Sequence, residues 1–230
     1  ALEQLQLLKT QLAKQSVSYL AELTAVVTVD AKPNHTQQSF AKTVAQAQVH
    51  VQAGDVFQVV VSQRFDRETQ SSPLDIYRAL RSINPSPYMY HINLSDTSGV
   101  YSIVGSSPEA LVKVFDGQAI MHPIAGSKPR GKTFEEDIEL AEVLLSDEKE
   151  RAEHLMLVDL ARNDLLKVCN PKTVNVTEFM KIHKFSHIQH LVSTVEGNLN
   201  ADSSVVDVFR ATFPAGTLSG APKPRALEII

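Results

Sequence analysis

Between Asp147 and Asp164 the chain reads DEKERAEHLMLVDLARND, with charge in its first turns, apolar residues after them, and neither Gly nor Pro inside. Such a run predicts a helix packed against something along part of its length. Ser146 is a reasonable N-cap, and Asp147, Glu148 and Glu150 suit the positive end of a helix dipole. Helical spacing puts Glu150, Glu153, His154 and Leu157 on neighbouring positions of one face and leaves Leu155, Met156 and Leu160 free to turn toward a core. A carboxylate at Glu153, on a face that turns apolar one step later, has two readings. It is either part of a solvated first turn or an oxygen ligand for a hard cation such as Mg2+. A zinc helix is excluded, because the second His it requires would fall on Val158.

The 230 residues are 43% hydrophobic and 21% charged, which fits an ordinary globular protein with room for one large domain or two small ones. A net charge of -4 argues against a nucleic-acid surface. The single cysteine, Cys169, cannot form an internal disulfide, so a reducing cytoplasm is the expected compartment. No apolar run approaches the ~18 residues of a membrane span, and no signal-peptide pattern opens the chain. Both ends fall inside patterned segments, which suggests part of a longer protein.

Leu2, Leu5, Leu8, Leu12, Leu20 and Leu23 lie at helical spacings, and a second helix is predicted over Ser39–Ala53, closed by Gly54. Val56–Phe65 has strand composition, with Phe57, Val59, Val61 and Phe65 on a buried side and Gln58, Ser62 and Arg64 on a polar one. Pro73–Ile83 reads as a helix, followed by a Pro-stiffened turn and a strand. Tyr101–Val104, Ala110–Phe115 and Gln118–Ile124 read as strands, the last two joined by a primed turn at Asp116-Gly117. Thr173–Phe179 and Leu191–Val195 are further strands, and Ser203–Thr212 is a helix capped by Asp202 or Ser203. Gly216–Pro222 reads as a loop before a last helix. Hairpin-linked strands with helices in separate blocks indicate an α+β fold, with largely antiparallel sheets flanked by helices. His183, His187 and His190 do not make a zinc set, since the residues after His190 have strand composition and no carboxylate or Cys completes the group.

Five segments carry a resemblance: SPE at Ser107–Glu109, PIAGSKPRG at Pro123–Gly131, EHLMLVDLARND at Glu153–Asp164, HLVSTVEG at His190–Gly197 and GTLSGAPK at Gly216–Lys223. In content and order they resemble the chorismate-utilising enzymes, and within them the large subunits of anthranilate synthase. The similarity runs from about Gln46 onward. It implies that residues 1–230 are a partial chorismate-binding catalytic domain, without the regulatory N-terminal segment and the C-terminal end of that family.

The resemblance also implies roles. Glu153 would bind the Mg2+ that holds the carboxylate of chorismate, Glu109 would be the general acid toward the leaving hydroxyl, and His190 would lie over the ring and help move a proton. Gly126, Ser127 and Thr217 would contact the substrate. Ser127 and Lys128 stand where the family usually has Thr and Arg; Ser keeps the hydroxyl, whereas Lys lacks the planar fork. Related aminodeoxychorismate synthases carry a Lys where this chain has Ala125, and isochorismate synthases a Lys base where it has Gln58. Ammonia is therefore the implied nucleophile, with Gln58 beside the substrate and a glutamine amidotransferase subunit as the ammonia source. Asn84–Met89 (NPSPYM) matches the segment in which Pro87, Tyr88 and Met89 would help bind tryptophan as feedback inhibitor. The alternatives are an aminodeoxychorismate or isochorismate synthase, or an inactive ligand-binding or interaction piece.

Overall fold

The computed structural model describes residues 2–13, 30–185 and 188–230. Its first half comprises α1 (Leu2–Leu12), β1 (Lys32–Pro33), α2 (Gln37–Gln52), β2 (Gln58–Val59), β3 (Phe65–Asp66), α3 (Pro73–Ile83), β4 (Tyr88–Asp96), β5 (Gly99–Ser107) and β6 (Lys113–Phe115). There follow β7 (Gln118–Met121), β8 (Ile124–Pro129), α4 (Phe134–Ser146), α5 (Glu148–Leu166), β9 (Asn175–Lys184), β10 (Ile188–Asn198), α6 (Val205–Thr212), α7 (Gly216–Ser219), β11 (Gly220–Ala221) and α8 (Lys223–Ile229). This is the expected α+β architecture, and every pairing between its strands is antiparallel. Leu20, Leu23 and His187 lie outside the described residues. Among the described residues no helix is long and apolar enough to cross a membrane.

Strand β10 is the centre of the main sheet. It pairs with β9 on one edge; on the other it pairs with β7 near its C-terminal end and β8 near its N-terminal end. Met121 faces Val195 and Ile124 faces Val192, so β7 and β8 keep one register across His122-Pro123. Proline has no N–H to give, but its carbonyl accepts from Ser193 N–H at 3.1 Å, which carries the ladder over the gap. Asp116 and Gly117 both have positive φ (48° and 72°), as the primed turn between β6 and β7 requires.

Helix α5 lies across this sheet. Val158, Ala161 and Leu165 pack with Ala119, Val168, Cys169, Val195 and Val208 into the core. Removing a side chain such as Leu165 from water contributes roughly 1.5–3 kcal/mol. Asp147 itself, not Ser146, is the N-cap, accepting from the N–H groups of Lys149 and Glu150; Ser146 closes α4. Leu155 points away from the core and is exposed, while His154 takes a buried place on the helix.

Other expectations are corrected. Val56–Phe65 forms only the two-residue pairings of β2 and β3, and Phe57 and Phe65 are exposed, because only Gly220–Ala221 and Lys32–Pro33 pair with this stretch. Ala110–Val112 is loop, and the strand begins at Lys113. The strand expected over Gln118–Ile124 is split into β7 and β8, the second running on to Pro129. Ser204, not Asp202 or Ser203, caps α6 through a reciprocal capping box with Asp207. The Gly216–Pro222 loop contains α7 and β11. Helix α4 follows Thr133, whose side chain accepts from Glu136 N–H.

The C-terminal segment is fastened to α5 by a buried ion pair. Asp164 is 1% exposed, and its carboxylate accepts from Lys223 Nζ, which also donates to the Thr212 carbonyl at 2.6 Å. The more exposed Lys167 holds the other carboxylate oxygen at 3.0 Å. Lys223→Met keeps the stem and removes the charge, leaving a buried carboxylate half-compensated. It should lower unfolding free energy by about 3 kcal/mol in urea titrations, with partial recovery on adding Asp164→Asn. A loss below about 1 kcal/mol would show that the pair does not secure this segment.

Candidate active site

Two groups of functional side chains stand at the two ends of α5. The first is built on a bulge between β8 and β10. Ala125 faces Leu191 and Ser127 faces His190, so Gly126 is the extra residue, with φ of +75°. The bulge turns its carbonyl toward His190, whose Nδ1 lies 3.2 Å from Gly126 O and 2.9 Å from Ser127 Oγ. A carbonyl can only accept, so Nδ1 carries a proton, and the neutral form of this ring has its lone pair on Nε2. Phe185 meets the His190 ring edge-on at 5.6 Å between centroids. A Cβ on Gly126 would sit 3.1–3.3 Å from Leu144 Cδ1, Leu191 Cδ1 and Glu150 Oε2, which places the Glu150 carboxylate against the bulge.

Beneath this end, His154 is fully buried and its Nε2 lies 2.6 Å from Ser193 Oγ, which also accepts from Met180 N–H at 2.9 Å. That contact holds Met180 at its positive φ of 50°. Burial depresses the His154 pKa, against an opposing contribution from the Ala125 backbone. Glu153 is half-buried and has no ion pair among the described residues. No group of three His, Cys, Asp or Glu that could hold a metal gathers among those residues. Two carboxylates from one helix face, Glu150 and Glu153, still suit Mg2+, which keeps several waters and takes few protein oxygens.

The second group surrounds a largely apolar cleft of about 320 Å³ beside the C-terminal half of α5. Glu109 and Thr217 line it, with His122, Leu160, Asp164 and Phe213. Burial alone raises the Glu109 pKa to about 7. Gln58 reaches this neighbourhood through β2, which pairs with β11, a strand that starts three residues after Thr217, and its Oε1 is buried with no hydrogen-bond partner among the described residues. Gly220 permits that pairing, since a Cβ there would collide with the Gln58 carbonyl. Pro87, Tyr88 and Met89 lie apart at the start of β4, although Tyr88 pairs with Ser107, two residues from Glu109, and Lys113 Nζ sits 5.9 Å from its ring centroid.

The structure thus brings Gly126, Ser127 and His190 together and sets Glu109 and Thr217 in one cleft, with Glu153 on the helix between. Sequence reasoning overlooked His122, Asp164 and Lys223. Asp164 was detectable, since it lies seven residues after Leu157 on the same apolar stripe.

A half-buried carboxyl in a cleft beside α5, and a histidine set on the Gly126 bulge near the carboxylate-bearing start of that helix, are the arrangement to be matched with known proteins. A family model described as chorismate binding enzyme matches residues 3–230, and the chain belongs to this family. Among its relatives, anthranilate synthase component 1 of Arthrobacter globiformis is 65% identical over 178 residues, 77% of this chain and 34% of that protein. The crystal structure of anthranilate synthase component I from Streptococcus pneumoniae TIGR4 superposes with a TM-score of 0.82 at 41% identity, covering 99% of this chain and 49% of that one. A Bacillus anthracis structure described as a 2,3-dihydroxybenzoate-specific isochorismate synthase has a TM-score of 0.74 at 28% identity, covering 91% of this chain and 57% of that one. The chain therefore spans between a third and three fifths of the lengths of these proteins.

Two measurements test the geometry. A carboxyl whose folded pKa lies above its ordinary value of 4.5 favours folding when protonated. That contribution is complete below pH 4.5 and lost as pH rises through about 7. Glu109→Gln should therefore raise the unfolding free energy at pH 8 by about 1 kcal/mol after allowance for solvent screening, seen as a higher thermal midpoint, and leave both unchanged at pH 4. Gly126→Ala should cost about 1–3 kcal/mol in denaturant titrations, because alanine resists the left-handed conformation and its methyl crowds Leu144 and Glu150.

Proposed function

We propose that this chain supplies the chorismate-binding part of an anthranilate synthase large subunit. Such an enzyme converts chorismate and ammonia to anthranilate and pyruvate in tryptophan biosynthesis. The observation that carries the reading is Glu109, a carboxyl desolvated enough to be partly protonated at neutral pH, in the cleft that also holds Thr217. A general acid needs that balance between holding and releasing its proton. Protonation of the departing hydroxyl belongs to Glu109. His190, with Nε2 unprotonated, accepts the proton released when the ring becomes aromatic. Ser127 and Thr217 orient the substrate through their hydroxyls.

Glu153, with Glu150 beside it, would hold Mg2+, whose charge fixes the substrate carboxylate. The unpaired Gln58 Oε1 suits the N–H of ammonia and cannot deprotonate water near neutral pH. That favours amination over isochorismate formation, as does the higher identity to component I proteins. Ammonia would come from a glutamine amidotransferase partner in the cytoplasm. Tryptophan would act through Pro87, Tyr88 and Met89, whose strand pairs with the one leading to Glu109.

The test is anthranilate fluorescence in a full-length large subunit carrying this segment, with chorismate, Mg2+ and ammonium. Glu109→Gln should lower kcat by about 10²–10⁴-fold. Glu153→Gln should raise the Mg2+ concentration needed for half-maximal activity by at least about tenfold. Isochorismate as the main product, or full activity in both variants, would overturn the assignment. The 230-residue chain assayed alone should show no turnover.

A further inference from the structure

Lys223 opens helix α8, the end at which a helix dipole is least favourable to a positive charge. A lysine there breaks a local rule, and the reason lies in what its ammonium reaches. The side chain is buried, and Nζ donates to Asp164 on α5 and, at 2.6 Å, to the carbonyl of Thr212. Thr212 ends α6 and is fully buried, so its carbonyl is one of those that the helix itself leaves without a partner. One side chain therefore closes residues 213–222 into a loop, because Lys223 is the residue after it and grips the residue before it.

Thr217 stands in this loop and lines the cleft with Leu160, Asp164 and Phe213. The loop meets α5 at two places. At Gly216, beside Thr217, a Cβ would collide with Leu160 Cδ2, so the backbone rests directly on that side chain. Asp164 lies four residues further along α5, about one helical turn, on the same face. On the far side the Ser219 carbonyl accepts from Val60 N–H at 3.0 Å and the Ala221 carbonyl from Phe57 N–H at 2.8 Å, which stops the loop from turning about its α5 contacts. Both carboxylate oxygens of Asp164 are taken, one by Lys223 and the other by Lys167 at 3.0 Å. Asp164 is thus no free base in the cleft, and its part is to hold.

We propose that Lys223 and Asp164 are positioning residues: they hold the loop at the height over α5 at which the Thr217 hydroxyl meets the molecule in the cleft. The inference rests on the chorismate reading of the site and adds to it two residues that act only through Thr217. A loop released from Thr212 and Asp164 would have to be ordered each time a ligand entered, and that ordering is taken out of the affinity.

The experiment is anthranilate fluorescence with chorismate as the varied substrate, in a full-length large subunit carrying this segment, beside urea unfolding of each variant. Thr217→Ala should raise KM for chorismate about tenfold. Lys223→Met should raise it to a similar extent, and by more than it lowers kcat. Thr217→Ala placed on top of Lys223→Met should add less than about threefold, since the hydroxyl it removes is already misplaced, whereas independent sites would multiply. Adding Asp164→Asn to Lys223→Met removes the uncompensated buried charge and restores part of the stability, but it does not restore the tie to Thr212, so KM should stay raised. A KM that returned in step with stability, or two effects that multiplied in full, would overturn the proposal and leave the pair a stabiliser of the fold. Thr217→Ala with an unchanged KM would also overturn it, by removing Thr217 from the site. If the unsubstituted subunit made no anthranilate, the chorismate reading itself would fall, and this inference with it.

Discussion

Strand β10 has both hydrogen-bonding edges engaged inside the protein, one by β9 and the other by the β7–β8 strand. Each backbone group in it that lost its partner would be left desolvated, since Leu191, Ser193 and Val195 are fully buried. One of the two groups of candidate site residues is hung on that frame. His190 is in it, Gly126 and Ser127 are bonded to it, and α5 is packed over its inner face, anchored by the buried contact of His154 with Ser193. One irregularity of the sheet falls where chemistry is needed. A register shift lies at His190, and two more lie around Thr194. Bulges re-aim side chains, and the one at Gly126 turns its carbonyl toward His190.

The two ends of α5 offer different solvents. At the N-terminal end, the Ser127 hydroxyl and the Gly126 carbonyl meet His190, and the Glu150 carboxylate lies against the Gly126 bulge. At the C-terminal end, Leu157, Leu160, Phe213 and Leu218 line the cleft, and a carboxyl placed among them holds its proton more tightly. Burial alone makes Glu109 hold its proton to a higher pH than an ordinary glutamate, without any change in its own chemistry.

Much of this was legible in the sequence where local rules and tertiary context agree. Helix α3 starts and ends as Ser72, Pro73 and Asn84 suggest, and the Asp116-Gly117 turn fixes its own hairpin. Legibility failed where a neighbour decides. Val56–Phe65 has every mark of a strand, but strand preference expresses a fit to a flanking surface, and this stretch meets only two short partners. Helix α4 was overlooked although Thr133 and Glu136 form a cap pair that announces it. The extension of β8 through glycine and proline was hidden because Gly126 marks a bulge and Pro129 terminates the strand. The Asp164–Lys223 contact joins residues far apart in the chain, and no periodicity encodes it.

The single register shared by β7 and β8 against β10 sets an order on synthesis. The main sheet joins residues 118–129 to residues 188–198, with α4, α5 and β9 lying between them in the chain. On a ribosome, α4 and α5 can form early, but their apolar faces have no floor until the last residues of β10 leave the exit tunnel. During that interval the nascent chain carries an open strand with one hydrophobic side and no partner for its edge. A translational pause just before residue 198 would prolong that exposure, whereas one just after it would let the sheet close.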